Sequence, residues 1–223
     1  MKSFTSSLLL ALTVAALPAA ALAQENTLAD TRISGLSLRG IGPATNSGRI
    51  ADIDIHPHDE NVWYVAVGSG GVWKTANNGT TFEPIFDDQG SYSIGDVTID
   101  PSTPSTVWVG TGENVGGRHV GFGDGIYKST DGGRTWTNMG LGETNHLSTV
   151  IVHPEDSDVV WVAAQGPLWS PGGQRGLYKT DDGGETWRKV LGEGEWTGVT
   201  DIVIDPRTPD LLIAATGDRQ RTV

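Results

Sequence analysis

The chain has 223 residues, with 15 Lys and Arg against 27 Asp and Glu, which gives a formal net charge of −12, and it has no cysteine. A chain this acidic is a poor partner for nucleic acid or for anionic membranes. Because disulfides are excluded, a hydrophobic core has to hold the fold together.

The first 23 residues have the composition of a secretory signal peptide. Lys2 gives the positive end, an apolar run extends from Leu8 to Leu17, and Ala23 closes a small-residue cleavage site. Residues 24–46 follow as a lead-in segment, and no later stretch approaches the roughly 18 apolar residues that a membrane helix needs. We therefore expect cleavage near Ala23, a secreted or periplasmic protein and no membrane span.

A short apolar run that ends in His-Pro or Asp-Pro recurs along the rest of the chain. Its prolines are Pro57, Pro101, Pro154 and Pro206, which lie 44, 53 and 52 residues apart. This period is close to the roughly 40 to 50 residues of a propeller blade. It divides residues 47–223 into units 47–90, 91–143 and 144–196 and a partial unit, 197–223.

Each unit reads as a series of short β-strands. A polar turn follows the proline, and then come a second run such as VWYVAV from Val62 and a third such as GVWKT from Gly71. Gly, Pro, Asn and Asp separate runs rich in aromatic and β-branched residues, and nothing has the period of a helix. The sequence predicts an all-β propeller of four-stranded antiparallel blades, incomplete at about three and a half blades, with the remainder in a longer chain.

An eight-residue box separates the third run from the fourth. Its main positions are Ser129, Asp131, Gly133, Thr135 and Trp136 in the second unit, Thr180, Asp182, Gly184, Thr186 and Trp187 in the third, and Asn77, Gly79 and Phe82 in the first. The box resembles the Asp-box, or bacterial neuraminidase repeat. The wider text, including GGVWKT from Gly70, resembles exported, glycosyl-hydrolase-like proteins grouped with the sortilin N-terminal (Vps10-type) propellers. The resemblance implies a propeller in which the box has a structural role.

Physical chemistry gives the box the same role. The Asp can accept N–H groups across a tight turn, the Gly can take a positive φ, and the aromatic residue can enter the space between sheets. We therefore predict that Trp136 and Trp187 are buried. The residues before the four prolines should cap turns, because aspartate and histidine interchange there; they are His56, Asp100, His153 and Asp205.

Two inserted loops hold the candidate ligand-binding residues. The loop from Gly110 contributes Glu113, Arg118, His119 and Asp124, and the loop from Gln165 contributes Trp169 and Arg175. In a propeller both loops lie on the face opposite the boxes, and loops on a rigid scaffold often carry binding groups. We expect Arg118 or Arg175 to clamp a carboxylate or a pair of hydroxyls and an exposed Trp169 to stack on a ligand.

Three functions stay open at this point. The first is a binding module for a protein, peptide or carbohydrate, which needs only these loops. The second is a glycoside hydrolase acting on polysaccharide, with Glu113 and Asp124 as candidate catalytic carboxylates and further carboxylates outside this chain. The third is a non-catalytic structural or assembly propeller. No metal-ligand spacing occurs, and we expect neither a metal nor a cofactor.

Overall fold

A computed structural model describes residues 49–115 and 120–221 of the protein. Within those ranges the secondary structure consists of β-strands without α-helix. The signal peptide and the lead-in segment predicted from the sequence lie outside the described residues. The strands are β1 (Ile50–Ile55), β2 (Trp63–Val67), β3 (Gly71–Thr75), β4 (Glu83–Pro84), β5 (Ile94–Ile99), β6 (Val107–Thr111), β7 (Ile126–Ser129), β8 (Thr137–Asn138), β9 (Leu147–His153), β10 (Asp156–Ala164), β11 (Gly176–Thr180), β12 (Arg188–Leu191), β13 (Thr197–Asp205) and β14 (Thr208–Asp218).

The strands form three four-stranded antiparallel sheets and one two-stranded sheet. Their orders are β1-β2-β3-β4, β5-β6-β7-β8 and β9-β10-β11-β12, with β13 paired to β14 alone. Each strand therefore pairs with its neighbour in sequence, as in a propeller blade. This confirms the predicted fold class. The exact blade boundaries remain predictions.

The hydrophobic cores lie between neighbouring sheets. One cluster joins Tyr64 and Phe86 of the first sheet to Val97 and Tyr127 of the second. Equivalent clusters join the second sheet to the third and the third to the β13–β14 pair. The alternation of apolar residues along the strands thus produces two faces per sheet, and burial of each face against a neighbouring blade holds the arc together.

The predicted hydrogen bonds of the box are present in the structure. In the second unit the Asp131 Oδ1 atom accepts the Thr135 backbone N–H at 2.9 Å, and Ser129 Oγ accepts the Gly133 N–H at 2.9 Å. The Asp182 carboxylate makes the same bonds to Thr186 in the third unit. In the first unit, Asn77 Oδ1 accepts the Thr81 N–H at 2.9 Å. An amide oxygen can therefore take the place of the carboxylate as the acceptor in this turn.

These hydrogen bonds also change the acidity of the box carboxyl groups. The bonds from the Thr135 backbone and hydroxyl lower the pKa of Asp131 to about 2. The hydroxyl groups of Thr180 and Thr186 lower the pKa of Asp182 to about 2 as well. Both groups are therefore ionised at every pH above the acid range, so the hairpins are complete at neutral pH.

The two box tryptophans are less buried than predicted. Trp136 and Trp187 are half-buried, and each donates its indole N–H at 2.8 Å to a carbonyl of the preceding blade, that of Ile85 or Met139. The hairpin lies at the rim of the blade, so one edge of each ring faces solvent while the other packs on the core. The predicted order still holds, because Trp169 is more exposed, at 52%.

All four residues that precede the repeat prolines cap their turns, as predicted. The Nδ1 atoms of His56 and His153 each accept the backbone N–H two residues ahead at 3.2 Å. Asp100 and Asp205 accept the equivalent N–H at 2.8 and 2.9 Å. A ring nitrogen and a carboxylate oxygen are interchangeable as acceptors here.

Carboxylates on the first strand of a blade connect it to the next blade. Asp52 accepts the Val97 N–H at 3.3 Å, and Asp96 accepts the Val150 N–H at 3.0 Å. Burial, with the nearby Asp52 carboxylate, raises the pKa of Asp96 to about 8. The Asp96 side chain therefore keeps its proton at neutral pH and serves as a neutral connector between blades.

Candidate functional site

The candidate site is the end of the arc opposite the box hairpins. In consecutive antiparallel strands, the connections from second to third strand and from one blade to the next share this end. We call it the upper face; it comprises residues 68–70, 86–93, 112–115, 120–125, 140–146, 165–175, 192–196 and 219–221. The box hairpins and the capped turns lie on the opposite, lower face. This arrangement brings both inserted loops to one surface, as the sequence predicted.

Glu113 lies on the upper face but is buried inside it. Its Oε2 atom is 2.7 Å from the Arg49 guanidinium, and its Oε1 atom accepts the Ser69 hydroxyl at 2.9 Å. The Gly121 N–H also donates to Oε2 at 3.1 Å. These contacts connect the upper loops of the first and second blades. The Glu113 carboxylate is thus occupied by protein groups.

Asp124 is also engaged by protein groups. Its Oδ2 atom accepts the Tyr127 hydroxyl at 2.6 Å, and its Oδ1 atom accepts the Thr111 hydroxyl at 3.3 Å. Burial of the Tyr127 hydroxyl and its bond to Asp124 raise the pKa of Tyr127. In this geometry Asp124 orders its own loop, so the two carboxylates proposed for catalysis both have structural partners.

Arg118 and His119 lie outside the described residues, so their expected part in ligand binding stays a prediction. They belong to the same inserted loop as Glu113, which precedes them in the chain, and Asp124, which follows them.

Arg175 differs from the expectation of an exposed ligand clamp. Its side chain is almost completely buried, and its guanidinium donates to five backbone carbonyls, those of Gln165, Pro167, Ser170, Gly172 and Trp196. A guanidinium has five N–H donors, so this set uses all of them. Arg175 therefore holds the loop that carries Trp169, and the sequence could not show this because its partners are main-chain atoms.

Three exposed aromatic side chains lie on the upper face. They are Tyr92 at 68% exposure, Phe122 at 60% and Trp169 at 52%. Their loops are in contact: the Ser91 hydroxyl donates to the Phe122 carbonyl at 2.9 Å, and the Phe122 ring lies 5.4 Å from that of His146. The His146 carbonyl in turn accepts the N–H of Gln165, which begins the loop of Trp169, at 2.9 Å. Only Trp169 was predicted from the sequence. Tyr92 and Phe122 could have been found in the sequence as aromatic residues in loops without strand periodicity.

Two buried polar side chains beside these aromatics have atoms without a hydrogen-bond partner among the described residues. Both ring nitrogens of His146 and the Oε1 atom of Gln165 are in this state. Burial lowers the pKa of His146 to about 4; a weak contact with the Glu113 backbone opposes this shift, and the charges of Arg219, Arg221 and Arg175 assist it. His146 is therefore neutral at physiological pH. Sequence reasoning missed it, because a lone histidine in a loop carries no signal of its burial.

The chemistry available on this face is stacking and hydrogen bonding. The described residues contain no group of three or more His, Cys, Asp and Glu side chains that could hold a metal ion. The Arg221 guanidinium lies 5.8 Å from the centre of the Trp169 ring, which gives this edge a positive charge. Asp96 has the raised pKa of a general acid, but its carboxyl group is used by Thr98 and Val150. The face is thus equipped to bind a ligand.

No protein-family model matches the chain. Among curated proteins it is 23% identical over 190 residues to an oligoxyloglucan-reducing end-specific xyloglucanase of Emericella nidulans, covering 78% of this chain and 22% of that protein. It is 24% identical over 200 residues to a xyloglucanase of Paenibacillus sp., covering 73% of this chain and 18% of that protein. The chain thus spans about a fifth of the length of the curated relatives that it matches.

Solved structures of GH74 enzymes and of YCF48 share the fold. An ancestral GH74 enzyme superposes with a TM-score of 0.60 at 18% identity, over 81% of this chain and 25% of that chain. The GH74 xyloglucanase from Xanthomonas campestris gives 0.57 at 19% identity, over 74% of this chain and 26% of that chain. YCF48 bound to D1 peptide gives 0.50 at 14% identity, over 74% and 46%. At these identities the comparison establishes the β-propeller fold.

Proposed function

We propose that the protein is a glycoside-hydrolase-like propeller that binds polysaccharide on its upper face. The observation that carries this proposal is the exposure of three aromatic rings, Tyr92, Phe122 and Trp169, on loops of one face. Aromatic rings are favourable platforms for the apolar faces of sugars, and loops on a rigid scaffold are common binding sites. The xyloglucanases among the relatives favour a glucan of the xyloglucan class as the ligand.

The two carboxylates predicted for catalysis, Glu113 and Asp124, are not placed to act as a hydrolytic pair. A pair of carboxylates roughly 5 to 9.5 Å apart has to flank the scissile bond, and one of them has to keep its proton. Glu113 is tied to Arg49, and Asp124 is tied to Tyr127. We therefore assign the described residues to glycan binding and place the hydrolytic pair, in a full-length enzyme, at least partly on other parts of a longer chain.

The test is binding and turnover measured on the same protein. Xyloglucan oligosaccharides should bind to the chain in a calorimetric titration, and Trp169→Ala or Phe122→Ala should weaken that binding by about 1 to 3 kcal/mol each, as for other stacked rings. Ile213→Ala is the matched control, because Ile213 is exposed on β14, outside the upper face. Equal binding by all four proteins would contradict the proposal. Reducing-end release by the full-length protein would distinguish a hydrolase from a binding module.

A second candidate is the recognition of a peptide, which would make the protein an assembly module. Two positive charges favour it, that of Arg221 beside the Trp169 ring and that of Arg219 near His146, because a peptide carboxylate could pair there. YCF48 bound to D1 peptide shares the fold. Binding of acidic peptides without binding of neutral oligosaccharides, and its loss in Arg219→Ala, would select this candidate.

We also propose that the protein is exported and cleaved near Ala23. The support is the charged, apolar and small-residue order of the first 23 residues. In the part of the chain that the structure describes, no helix has the length and hydropathy needed to cross a bilayer. Amino-terminal sequencing of the protein recovered outside the cytoplasm should begin at Gln24, and an intact Met1 would contradict cleavage.

A further inference from the structure

Two polar side chains face each other at the upper end of the third blade. The Gln165 backbone N–H donates to the His146 carbonyl at 2.9 Å, which continues the pairing of Leu147 with Ala164 by one residue. Residues directly opposite on antiparallel strands have Cβ atoms roughly 5 Å apart and side chains on the same side of the sheet. The side chains of His146 and Gln165 therefore enter the same space, and both are buried, with exposures of 0% and 2%.

This pair holds most of the buried polar atoms that lack a hydrogen-bond partner. Five such side-chain atoms occur among the described residues, and three of them are the two ring nitrogens of His146 and the Oε1 atom of Gln165. Buried polar groups in native proteins are otherwise almost always hydrogen-bonded, because an unpaired group costs the free energy of its desolvation. The pair therefore weakens the folded state, and its hydrogen-bonding groups are left for a ligand.

The chemistry of the unpaired atoms defines the ligand. The Gln165 amide N–H donates to the Asn114 carbonyl at 3.1 Å, which leaves the Oε1 atom of Gln165 as an acceptor. The neutral His146 ring has one N–H donor and one acceptor nitrogen, and it makes only a weak contact with the Glu113 backbone. A hydroxyl group both donates and accepts hydrogen bonds and so satisfies this set, whereas a carboxylate has no donor and an ammonium group has no acceptor.

The Phe122 side chain lies against His146 and faces solvent. Its ring centre is 5.4 Å from that of His146, with the two planes inclined at 41°, and the side chain is 60% exposed. The backbone around it is held in place, because the Gly123 N–H donates to the Asn145 carbonyl at 2.8 Å and the Ser91 hydroxyl donates to the Phe122 carbonyl at 2.9 Å. Rotation of an exposed side chain takes picoseconds to nanoseconds. The Phe122 ring can therefore uncover the pair while the backbone of its loop stays in place.

We propose that His146 and Gln165 form a hydroxyl-binding site beside Phe122, which binds one hydroxyl group of a sugar stacked on that ring. This inference rests on the proposed binding of polysaccharide to the upper face and adds the groups that recognise an individual sugar. The free chain bears the cost of the unpaired polar atoms, and the bound hydroxyl removes that cost. A sugar that lacks this hydroxyl leaves the atoms unpaired and binds less tightly.

Water is the other source of the same chemistry. A buried water makes about three hydrogen bonds to polar groups that have no other partner, and it would occupy the pair in the free protein. A sugar hydroxyl, in contrast, reaches the pair only when the oligosaccharide is bound. The two sources therefore differ in whether the His146 nitrogens change their hydrogen bonding when oligosaccharide is added.

The imidazole nitrogens of His146 report directly on the site. The chain has five histidines, and sequential assignment identifies the signals of His146 in a nitrogen-15 spectrum. Addition of a xyloglucan oligosaccharide should shift these signals together with the indole signal of Trp169. A shift of Trp169 without a shift of His146 would overturn the hydroxyl-binding site and assign the pair to water, while the proposed function would stand. No shift of either signal at the highest soluble concentration would overturn both.

Substitutions separate hydrogen bonding from stacking. Gln165→Met keeps the length of the side chain but removes the acceptor, and His146→Leu removes both ring nitrogens. Each should weaken the binding of the oligosaccharide about three- to tenfold, the worth of one hydrogen bond. His153→Leu is the matched control, because His153 caps a turn on the lower face, and its affinity should be unchanged. Thermal unfolding establishes that each variant is folded; wild-type affinity in both Gln165→Met and His146→Leu, or an equal loss in the control, would overturn the proposal.

Discussion

At the scale of single residues, some side chains of the upper loops bind other parts of the protein, and others face solvent. Glu113, Asp124 and Arg175 are polar residues of inserted loops, and all three are used by protein partners. Trp169, in the loop that Arg175 holds, remains 52% exposed, with the Arg221 guanidinium 5.8 Å from its ring centre. The charged side chains of these loops therefore hold the loop backbone in place, and the aromatic side chains are left exposed to solvent.

Arg175 is the first residue whose substitution tests this division. Arg175→Met leaves four carbonyls of its own loop and that of Trp196 in the next loop without their donor, and we expect a loss of about 2 to 4 kcal/mol in the free energy of unfolding, since bonds to charged groups are among the stronger ones. Arg175→Lys should recover only part of this, because an ammonium lacks the planar set of five donors. Chemical denaturation measures both, and wild-type stability in the methionine variant would contradict the assignment.

The low pKa of His146 predicts how the folding stability depends on pH. Its pKa is about 4 in the folded chain, below the ordinary value of 6.5. The unfolded chain therefore binds a proton first as the pH falls through 6.5, and the contribution of the neutral ring is lost between about pH 6.5 and 4, on the order of 3 kcal/mol. Groups such as Asp96 titrate with the opposite sign, so the measurement is the difference between wild type and His146→Leu.

The same variant has a second expected outcome at neutral pH. Because neither ring nitrogen makes a hydrogen bond of good geometry with the described residues, and the Glu113 backbone is only a weak contact that slightly opposes the lowered pKa, His146→Leu should leave the stability at pH 7 unchanged or raise it. Guanidinium unfolding curves at pH 7 and pH 5 would report both effects. A large loss at pH 7 would show that the nitrogens are bound in solution.

At the scale of elements, the box hairpin is the unit that the sequence predicts best. Its positions determine one another through local hydrogen bonds, as between Asp131 and Thr135 or Asn77 and Thr81, so the spacing alone predicts the turn. The turn caps at His56 and Asp100 were predictable for the same reason. Burial of Trp136 was overestimated because the position of a hairpin at the rim of a sheet depends on the neighbouring blade.

Loops were less predictable than hairpins, for a physical reason. The partners of Arg175 are main-chain carbonyls, and the partner of Glu113 is Arg49, which is distant in sequence. Residue type therefore marked these loops as unusual but could not say which side chains face solvent. The exposed rings of Tyr92 and Phe122 were missed because each stands alone in its loop without a repeated pattern.

The carboxylates of the box hairpins predict a loss of folding stability at acid pH. The low pKa values of Asp131 and Asp182 mean that the folded hairpins keep their charge below the pKa of the unfolded chain. Their contribution is fully present above about pH 4 and is lost as the pH falls toward about 2. Asn77→Asp, which gives the first hairpin the same carboxylate, should raise the melting temperature at pH 7 more than at pH 2. An equal change at both values would contradict a role for the charge.

At the scale of the whole molecule, residues 50–115 and 120–218 form a series of blades whose cores lie at their interfaces. The middle sheets are covered on both faces, whereas the β13–β14 pair exposes Val203, Leu211 and Ile213. Local stability should follow this pattern. Hydrogen exchange should be slowest in β5, β6, β9 and β10 and fastest in β13 and β14, and uniform protection along the chain would contradict a stability set by interfaces.

The central claim is that the upper face binds a glycan through its exposed rings. The chain has eight tryptophans, and each indole N–H gives one nuclear magnetic resonance signal. A titration with a xyloglucan oligosaccharide should shift the signal of Trp169 and leave those of Trp136 and Trp187, on the lower face, unchanged. Shifts confined to the lower face, or none at saturating oligosaccharide, would contradict the account.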